Sequence, residues 1–389
     1  MAVRSLADLI TVSRASTATR VNPAGLVEVV SANTARLDYD PVTLLPRGLL
    51  VEGTRTNLAL RSEEFDNGFW TKVAATVTAN AALSPDGTMD ADKLVEDTTN
   101  AIHYAAWTPT VTVTPYSMSV YAKAGERSWL RIGNSSDSQQ MAWFDVANGV
   151  VGATSAGVTA RISNAGNGWY RCSVSFTPLS ATAKTFSMML GSGNDTPTYT
   201  GTAGNGMFLW GAQLEAGEFP SSYIPTTTAV ATRNADNISI GSSRFAEFYN
   251  ATAGTFFAEI EFPAGWVSVS NSRILGAIAA SSVSFLNCTG PAGVQIWNGT
   301  TALTKTSPTN LAGRRAKIAS AFSGGGTDLA VTLDGLAPTT GTSAGAFNNI
   351  TALGLGASVS GSLPLGGWIR NVRYFPRRFT NAELQALTV

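Results

Sequence analysis

Alternation of apolar and polar residues along short segments is the feature that most constrains this chain. In the segment YRCSVSFT (170–177), Cys172 and Val174 fall on one side and Arg171 falls on the other. The same period of two occurs in YSMSVYAKA (116–124), FLWGAQLE (208–215) and TFFAEIEF (255–262). Such alternation is typical of antiparallel sheets that bury one face in a core.

Turn signals separate these alternating segments. Asn-Gly or Asp-Gly pairs occur at positions 148–149, 167–168, 298–299 and 334–335, and such pairs favour tight hairpins. Helical signals are few, the stronger being a capping box formed by Thr380 and Glu383 before Leu384. The pattern predicts an all-β protein with two antiparallel β-sandwich (jelly-roll) domains in tandem, an irregular N-terminal leader and a short C-terminal helix.

The boundaries follow from length and local composition. The 389 residues suggest two or three domains, and a Thr-rich polar stretch follows Pro225. We expect a leader at 1–56, a first β-sandwich at 57–225, a linker at 226–249 and a second β-sandwich at 250–389.

Charge composition excludes some classes of partner. The 26 basic and 26 acidic residues cancel, and charged residues are 13% of the chain against about 25% in a typical domain. Nucleic-acid binding requires clustered Lys and Arg, so we expect no nucleic-acid partner. The most apolar run, at 274–280, is too short to cross a bilayer, and we expect no membrane insertion.

Catalytic constellations are sparse. His103 is the single histidine, no G-x-S-x-G elbow accompanies it, and Cys172 and Cys288 are expected to be buried thiols. Neighbouring carboxylates occur at 63–66, 90–92, 96–97 and 259–261, but acidic pairs on strands are usually solvated faces. We therefore expect no enzyme, and keep a polysaccharide-degrading enzyme as an alternative.

One segment has the oxygen density of a calcium loop. Asp86, Asp90 and Asp92 lie in the stretch SPDGTMDADK (84–93). Plain polar turns are the favoured interpretation of this stretch. No cofactor is expected to be required, and a structural Ca²⁺ at these three residues is the alternative.

Tryptophans near turns are the predicted sugar-binding residues. Sugars stack their C–H faces on aromatic rings while planar polar groups bind their hydroxyls. Trp210, Trp169 and Trp368 lie in strong strand patterns and are expected in cores. The predicted carbohydrate-binding set is Trp297, Asn298, Trp266, Trp129, Trp143 and Arg131.

Several motifs resemble those of a known group of proteins. The stretch 12–72 resembles a leader of bacteriophage and prophage tail-fibre or head-fibre proteins, and head spikes of gene-transfer particles are related. The shared pieces are RAS (14–16), PAG (23–25), RLDYD (36–40) and RGLLVEGTRTN (47–57). LWGAQLEAGEFPSSYIPTT (209–227) is similar to the last strand and exit of their carbohydrate-binding-module-like sandwich. The segments 253–263, 314–322, 329–335 and 368–387 resemble a concanavalin A-like or laminin-G-like lectin jelly roll.

This resemblance implies a function. It implies a fibre or spike subunit on the surface of a virion or phage-like particle, made in the bacterial cytoplasm, that adheres to a bacterial surface polysaccharide or capsule without cleaving it. A homo-oligomer is expected, with a trimer favoured. A purely structural decoration protein is the main alternative.

The leader has its own predicted task. It would contact other particle proteins, because it is too irregular for an independent core. Its arginines could pair with carboxylates of those partners. The residues proposed for attachment are Arg14, Arg20, Arg36, Arg47 and Arg55. The alternative is that the leader wraps the first sandwich of its own subunit.

Overall fold

The computed structural model describes residues 6–137, 139–265, 272–278, 284–345, 347, 350–358 and 363–389. These residues form an all-β protein whose two β-sandwiches have separate apolar cores, which confirms the predicted fold class. No helix in these ranges is long and apolar enough to span a membrane.

The leader contains short elements. They are α1 (Leu6–Leu9), β1 (Thr11–Ser13), β2 (Ala18–Val21), β3 (Val27–Val30), β4 (Leu37–Tyr39), β5 (Pro46–Val51) and β6 (Arg55–Asn57). β2 and β3 pair with each other as a hairpin. β1, β5 and β6 pair with distant parts of the chain, and β4 pairs with β5.

The N-terminal sandwich follows the leader. Its strands are β7 (Thr71–Val73), β8 (Ala75–Ala82), β9 (Ala91–Glu96), β10 (Asn100–Ile102), β11 (Tyr104–Trp107), β12 (Tyr116–Ala124), β13 (Trp129–Asn134), β14 (Gln140–Asp145), β15 (Val150–Thr154), β16 (Thr159–Gly166), β17 (Trp169–Phe176), β18 (Phe186–Gly191), β19 (Thr198–Thr200) and β20 (Gly206–Ala216). One sheet has the order β15-β14-β13-β18-β11-β7, and the facing sheet has the order β16-β17-β12-β20-β9-β8.

Alternation predicted most of this core correctly. Cys172 and Val174 of β17 are buried in it, whereas Arg171 lies on the outer face. β20 departs from the prediction because Gly211 has a φ of +63° and the register with β12 shifts there. Leu209 is therefore in the core, and Trp210 packs outside it, in an aromatic cluster on the outer face.

The C-terminal sandwich completes the chain. Its region contains β21 (Ala231–Arg233), β22 (Asn237–Ile240), α2 (Ser242–Ala246), β23 (Gly254–Glu261), β24 (Ser272–Ile278), β25 (Ser284–Gly290), β26 (Gly293–Trp297), β27 (Ala302–Thr306), β28 (Arg315–Ser323), β29 (Asp328–Leu333), β30 (Thr339–Thr342), β31 (Ala352–Leu355), β32 (Gly367–Phe375) and α3 (Asn381–Leu387). Its sheets have the orders β1-β22-β31-β24-β25-β26-β27 and β30-β29-β28-β23-β32-β5-β4.

Leader strands therefore belong to the C-terminal sandwich. β5 pairs antiparallel with β32, with Leu50 opposite Trp368, and β4 extends that sheet. β1 pairs with β22, with Val12 opposite Ile238. The N-terminal sandwich is thus inserted between the leader and the rest of the C-terminal sandwich. The stretch predicted as a linker also contributes β22 to this sheet and β21, which pairs with β6.

Candidate functional site between the two sandwiches

The exit from β20 folds back over its own strand. Gln213 Oε1 accepts a hydrogen bond from Ile224 N at 2.7 Å, and Glu215 accepts bonds from Ser221 N at 2.7 Å and Ser221 Oγ at 2.6 Å. Both side chains are fully buried although they occupy the polar positions of the strand. This segment, residues 217–227, therefore runs along the outer face of the N-terminal sandwich, next to the leader. We call it the return segment.

A buried ionic network links the leader to Arg233 and Asp236, which follow the return segment in sequence. Arg36 donates to Glu52 at 2.8 Å and also bonds Asp236, while Arg233 donates to Glu52 at 2.7 Å. Arg14 donates to Asp236 at 2.8 Å. Burial opposes ionisation of Glu52, but the Arg233 and Arg36 guanidiniums outweigh it and hold its pKa well below the usual value. Arg14 and Asp236, which are 222 positions apart in the sequence, are thus held together by a buried ion pair.

The arginines predicted to attach another protein already have partners in this chain. Besides Arg14 and Arg36, Arg20 pairs with Glu28 at 3.0 Å, Arg47 with Glu261 at 2.9 Å and Arg55 with Glu215 at 3.5 Å. The side chains of Arg14 and Arg36 are 0% exposed. The carboxylates of another protein therefore cannot reach Arg14 and Arg36, which argues against particle attachment through these two arginines.

A cleft of about 390 Å³ lies where the leader, the return segment and both sandwiches meet. We call it the inter-sandwich cleft. The lining residues include Thr19, Arg20, Asp38, Asp40 and Arg47 from the leader, Tyr121, Arg161, Ser163, Asn164, Arg171 and Ser173 from β12, β16 and β17, Phe219 to Tyr223 from the return segment, and Pro263, Ala264, Gly366 and Trp368 from the C-terminal sandwich.

One wall of the cleft is built around Trp368. Its indole Nε1 donates to Asp38 Oδ2 at 2.7 Å, and the Arg47 guanidinium carbon lies 3.5 Å from the centre of its ring. Asp38 Oδ1 also accepts a bond from Val21 N at 2.6 Å. Burial raises the pKa of Asp38, and these two hydrogen bonds offset part of the effect. The wall joins a leader strand to β32.

The opposite wall is the outer face of β12, β16 and β17. Tyr121, Arg171 and Ser163 lie in one row across these strands. Arg171 donates to Ser221 O at 2.7 Å and to Ser119 Oγ at 2.9 Å, and its guanidinium carbon lies 5.3 Å from the centre of the Tyr121 ring. The wall therefore combines an aromatic ring with planar cationic donors.

Arg161 belongs to the same wall and has no hydrogen bond or ion pair from its side chain to any described residue. A methyl group added to Gly265 would lie 2.4 Å from its guanidinium carbon, so Arg161 lies against the C-terminal sandwich. Burial lowers its pKa from the ordinary value. The described residues thus leave the five N–H donors of this guanidinium without an acceptor.

Three of the predicted sugar-binding residues come together elsewhere. Arg131 of β13 lies opposite Trp143 of β14, with its guanidinium carbon 5.7 Å from the centre of the indole ring. Trp129 lies on the same outer face, and both tryptophans approach Gly152. Trp143 is only 1% exposed and its Nε1 donates to Asp195 at 3.3 Å. A ligand on this face could therefore contact Trp129 and Arg131 but very little of Trp143.

The other three predicted residues do not join them. Asn298 is 3% exposed, and its side-chain amide bonds Gly326 O at 3.0 Å and Thr301 N at 2.9 Å, so it shapes a turn. Trp297 ends β26 in the C-terminal sandwich and is half-buried. Trp266 lies outside the described residues. None of the predicted sugar-binding residues that the structure describes lines the cleft.

Two of the three aspartates proposed for calcium accept hydrogen bonds within the protein, whereas Asp90 Oδ1 is buried without a hydrogen-bond partner among the described residues. Asp92 accepts bonds from Phe65 N at 2.6 Å and Asn80 N at 2.9 Å, and Asp86 accepts from the Ser84 hydroxyl at 2.5 Å. Asp90 is half-buried. Among the described residues no group of three His, Cys, Asp or Glu side chains could hold a metal ion. Asp92 orders backbone amides here, and a structural Ca²⁺ at these three aspartates stays a prediction.

The remaining reactive groups are structural. His103 is buried, with Nδ1 2.7 Å from Ala74 O and Nε2 3.2 Å from Tyr199 O. Cys172 and Cys288 are free, buried thiols, as predicted, and burial raises the pKa of both.

Sequence reasoning missed the cleft residues for a definite reason. Arg171 was correctly placed on the polar side of its strand, but the other wall comes from the leader and β32. Trp368 was expected in a core and is indeed 8% exposed. A cationic side chain on the outer face of a strand was the available signal, and it does not show which other segments lie across from it.

Solved structures are where this chain finds similar proteins. Neither the protein-family models nor the curated proteins give a match. Among solved structures, it is similar to a Trypanosoma rangeli sialidase in complex with 2-keto-3-deoxy-D-glycero-D-galacto-2,3-difluoro-nononic acid, at 9% identity over 82% of this chain and 62% of that chain, with a TM-score of 0.29. It is also similar to the N-terminal CBM22-1-CBM22-2 tandem domain of Paenibacillus barcinonensis Xyn10C, at 9% identity over 84% of this chain and 99% of that chain, with a TM-score of 0.26. The chain thus spans less than two thirds of the sialidase, and at these TM-scores neither similarity bears on its function.

Proposed function

We propose that this chain is a fibre or spike subunit of a phage-like particle that holds a bacterial surface glycan in the inter-sandwich cleft without cleaving it. The observation that carries the proposal is the composition of the cleft. Its walls combine Tyr121, which is 7% exposed, with Arg161, Arg171 and Ser163, within a volume typical of ligand pockets. Aromatic faces and planar donors are what a sugar ring requires.

The carboxylates of the cleft support a binding role over catalysis. The carboxylates of the cleft already accept hydrogen bonds from the protein, since Asp38 bonds Val21 N and Trp368, and Asp40 bonds the amides of Val42 and Thr43. A glycosidase instead needs two carboxyl groups directed at the substrate.

The particle assignment rests on the motif resemblance. The same motifs supply Asp38, Arg47 and Glu52 to the cleft and Arg36 to the buried network, so the resemblance and the proposed site involve the same part of the molecule. We place the protein on the particle surface as a homo-oligomer, a trimer being favoured, so that many weak sites act with avidity. The exposed Val42, Leu44 and Leu45 suit contacts of the leader with other particle proteins.

Binding of the purified full chain to a panel of bacterial capsular polysaccharides tests the proposal. We expect binding by the wild type, at least about tenfold weaker binding by Ser163→Trp, which fills the cleft from an exposed position, and no change in Ser242→Trp on α2. The recovered polysaccharide should keep its length. Absence of binding would favour a structural decoration protein, and shortened polysaccharide would favour an enzyme.

A further inference from the structure

The charges that line the inter-sandwich cleft are not balanced. Arg20 and Arg47 are neutralised by Glu28 and Glu261, at 3.0 and 2.9 Å. No carboxylate among the described residues pairs with Arg161 or with Arg171. Two of the four arginines in the cleft therefore have no carboxylate partner in the part of the chain that the structure describes.

These two arginines are close to each other. In the β16–β17 pairing, Arg161 is opposite Ser173 and Arg171 is opposite Ser163. The arginines are thus diagonal neighbours on one sheet face, whose Cβ atoms are typically about 7–8 Å apart. Long side chains from such positions can reach a single bound group.

The carboxylates of the cleft do not compensate for them. Glu52 is bound by Arg36, Arg233 and Ser222, whereas Asp38 and Asp40 accept hydrogen bonds from neighbouring donors. A half-buried arginine without an acceptor has lost part of its hydration without gaining a partner. An anionic ligand would supply that acceptor.

We infer that the glycan held in the cleft is acidic, and that Arg161 and Arg171 bind its carboxylate or phosphate groups. The inference rests on the proposed function and adds the chemical class of the ligand. Guanidinium forms paired hydrogen bonds to either anion, whereas a neutral sugar offers only hydroxyls. The exposed Ser163 remains available to contact the sugar ring itself.

The test uses the full chain and capsular polysaccharides of known composition, in neutral, uronate-containing and phosphate-containing sets. We expect binding to acidic members only, weakening as salt rises. Carboxyl reduction of a bound uronate polymer, or dephosphorylation of a bound phosphate polymer, shows which anion is bound. Either treatment should weaken binding at least about tenfold when it removes the recognised group.

Matched variants connect this effect to the cleft. Arg161→Gln should weaken binding of the acidic polymer about tenfold or more, and Arg161→Lys should restore part of it. Arg244→Gln removes the same charge from an exposed position on α2 and should have no effect. Because the Arg161 side chain has no hydrogen bond to the described residues, the melting temperature of Arg161→Gln should stay near that of the wild type.

The outcomes separate the two proposals. Equal binding of neutral and acidic polymers, or unchanged binding by Arg161→Gln, would overturn the inference and leave the proposed function intact. Binding to no polymer would overturn the proposed function itself.

Discussion

At the residue scale, the buried network shows how strongly single side chains determine this fold. Arg36 lies between Glu52 and Asp236, and all three are almost completely removed from water. A buried carboxylate is tolerated only while it is paired. The charged residues of the leader motifs therefore act as internal links rather than as an external surface.

Replacing Arg36 by Met should destabilise the protein by about 3–5 kcal/mol, because two buried carboxylates lose a shared partner. Urea unfolding measures this difference. The matched control is Arg20→Met, whose pair with Glu28 is partly exposed, and it should cost about 0–1 kcal/mol. Equal costs for the two variants would contradict the role given to the network.

The raised pKa of Glu63 predicts that the stability of the protein depends on pH. Burial, followed by the charges of Asp90, Asp86 and Glu64, raises its pKa to about 7, although the Tyr223 hydroxyl donates to it at 2.8 Å. A raised carboxyl pKa means that the folded state binds the proton more tightly than the unfolded state. The stabilisation is complete below the unfolded pKa of about 4.3 and is lost as pH rises through 7.

The variant Glu63→Gln should therefore lose this part of the pH dependence. The free energy of unfolding of the wild type should fall by up to about 3 kcal/mol more than that of Glu63→Gln between pH 4.5 and pH 8. Glu28→Gln, which removes a partly exposed carboxylate that is paired with Arg20 and is not among the charges that raise the pKa of Glu63, is the control and should follow the wild type. Identical pH profiles for the wild type and Glu63→Gln would contradict the assignment.

At the element scale, the sequence predicted strands better than their partners. Alternation placed Phe256, Ala258 and Ile260 of β23 in a core, and the structure confirms this. The capping box at Thr380 and Glu383 is also present. Both patterns are local, so the sequence alone contains the information they require.

The failures at this scale come from non-local effects. At Gly211 the inward and outward positions of β20 exchange, because a bulge shifts its register with β12. Alternation within one strand cannot show such a bulge. The leader appeared irregular because β1, β4 and β5 are short and sit at or near sheet edges. Their partners β22 and β32 lie more than 200 residues away.

Deleting residues 1–53 should selectively destabilise the C-terminal sandwich. The deletion removes β1, β4 and β5 and leaves Arg233 and Asp236 buried without their leader partners. Limited proteolysis with mass spectrometry should show rapid cleavage within 250–389 and persistence of 58–225. Equal resistance of the C-terminal sandwich in the deleted and full-length proteins would contradict its dependence on the leader.

At the scale of the whole molecule, the inserted topology creates the proposed site. Because the leader pairs with the C-terminal sandwich and the return segment lies on the N-terminal one, four parts of the chain converge on one cleft. Two sandwiches could be predicted from strand patterns. The cleft could not, since Tyr121 and Trp368 become neighbours of one cavity only after the whole chain has folded.

The most direct test is a crystal structure of the full chain soaked with an oligosaccharide from a polymer that it binds. We expect a sugar ring in the inter-sandwich cleft, in contact with Tyr121, with the acidic group of the sugar bound to Arg161 or Arg171. A sugar bound instead at Trp129 and Arg131, with the cleft empty, would contradict this expectation.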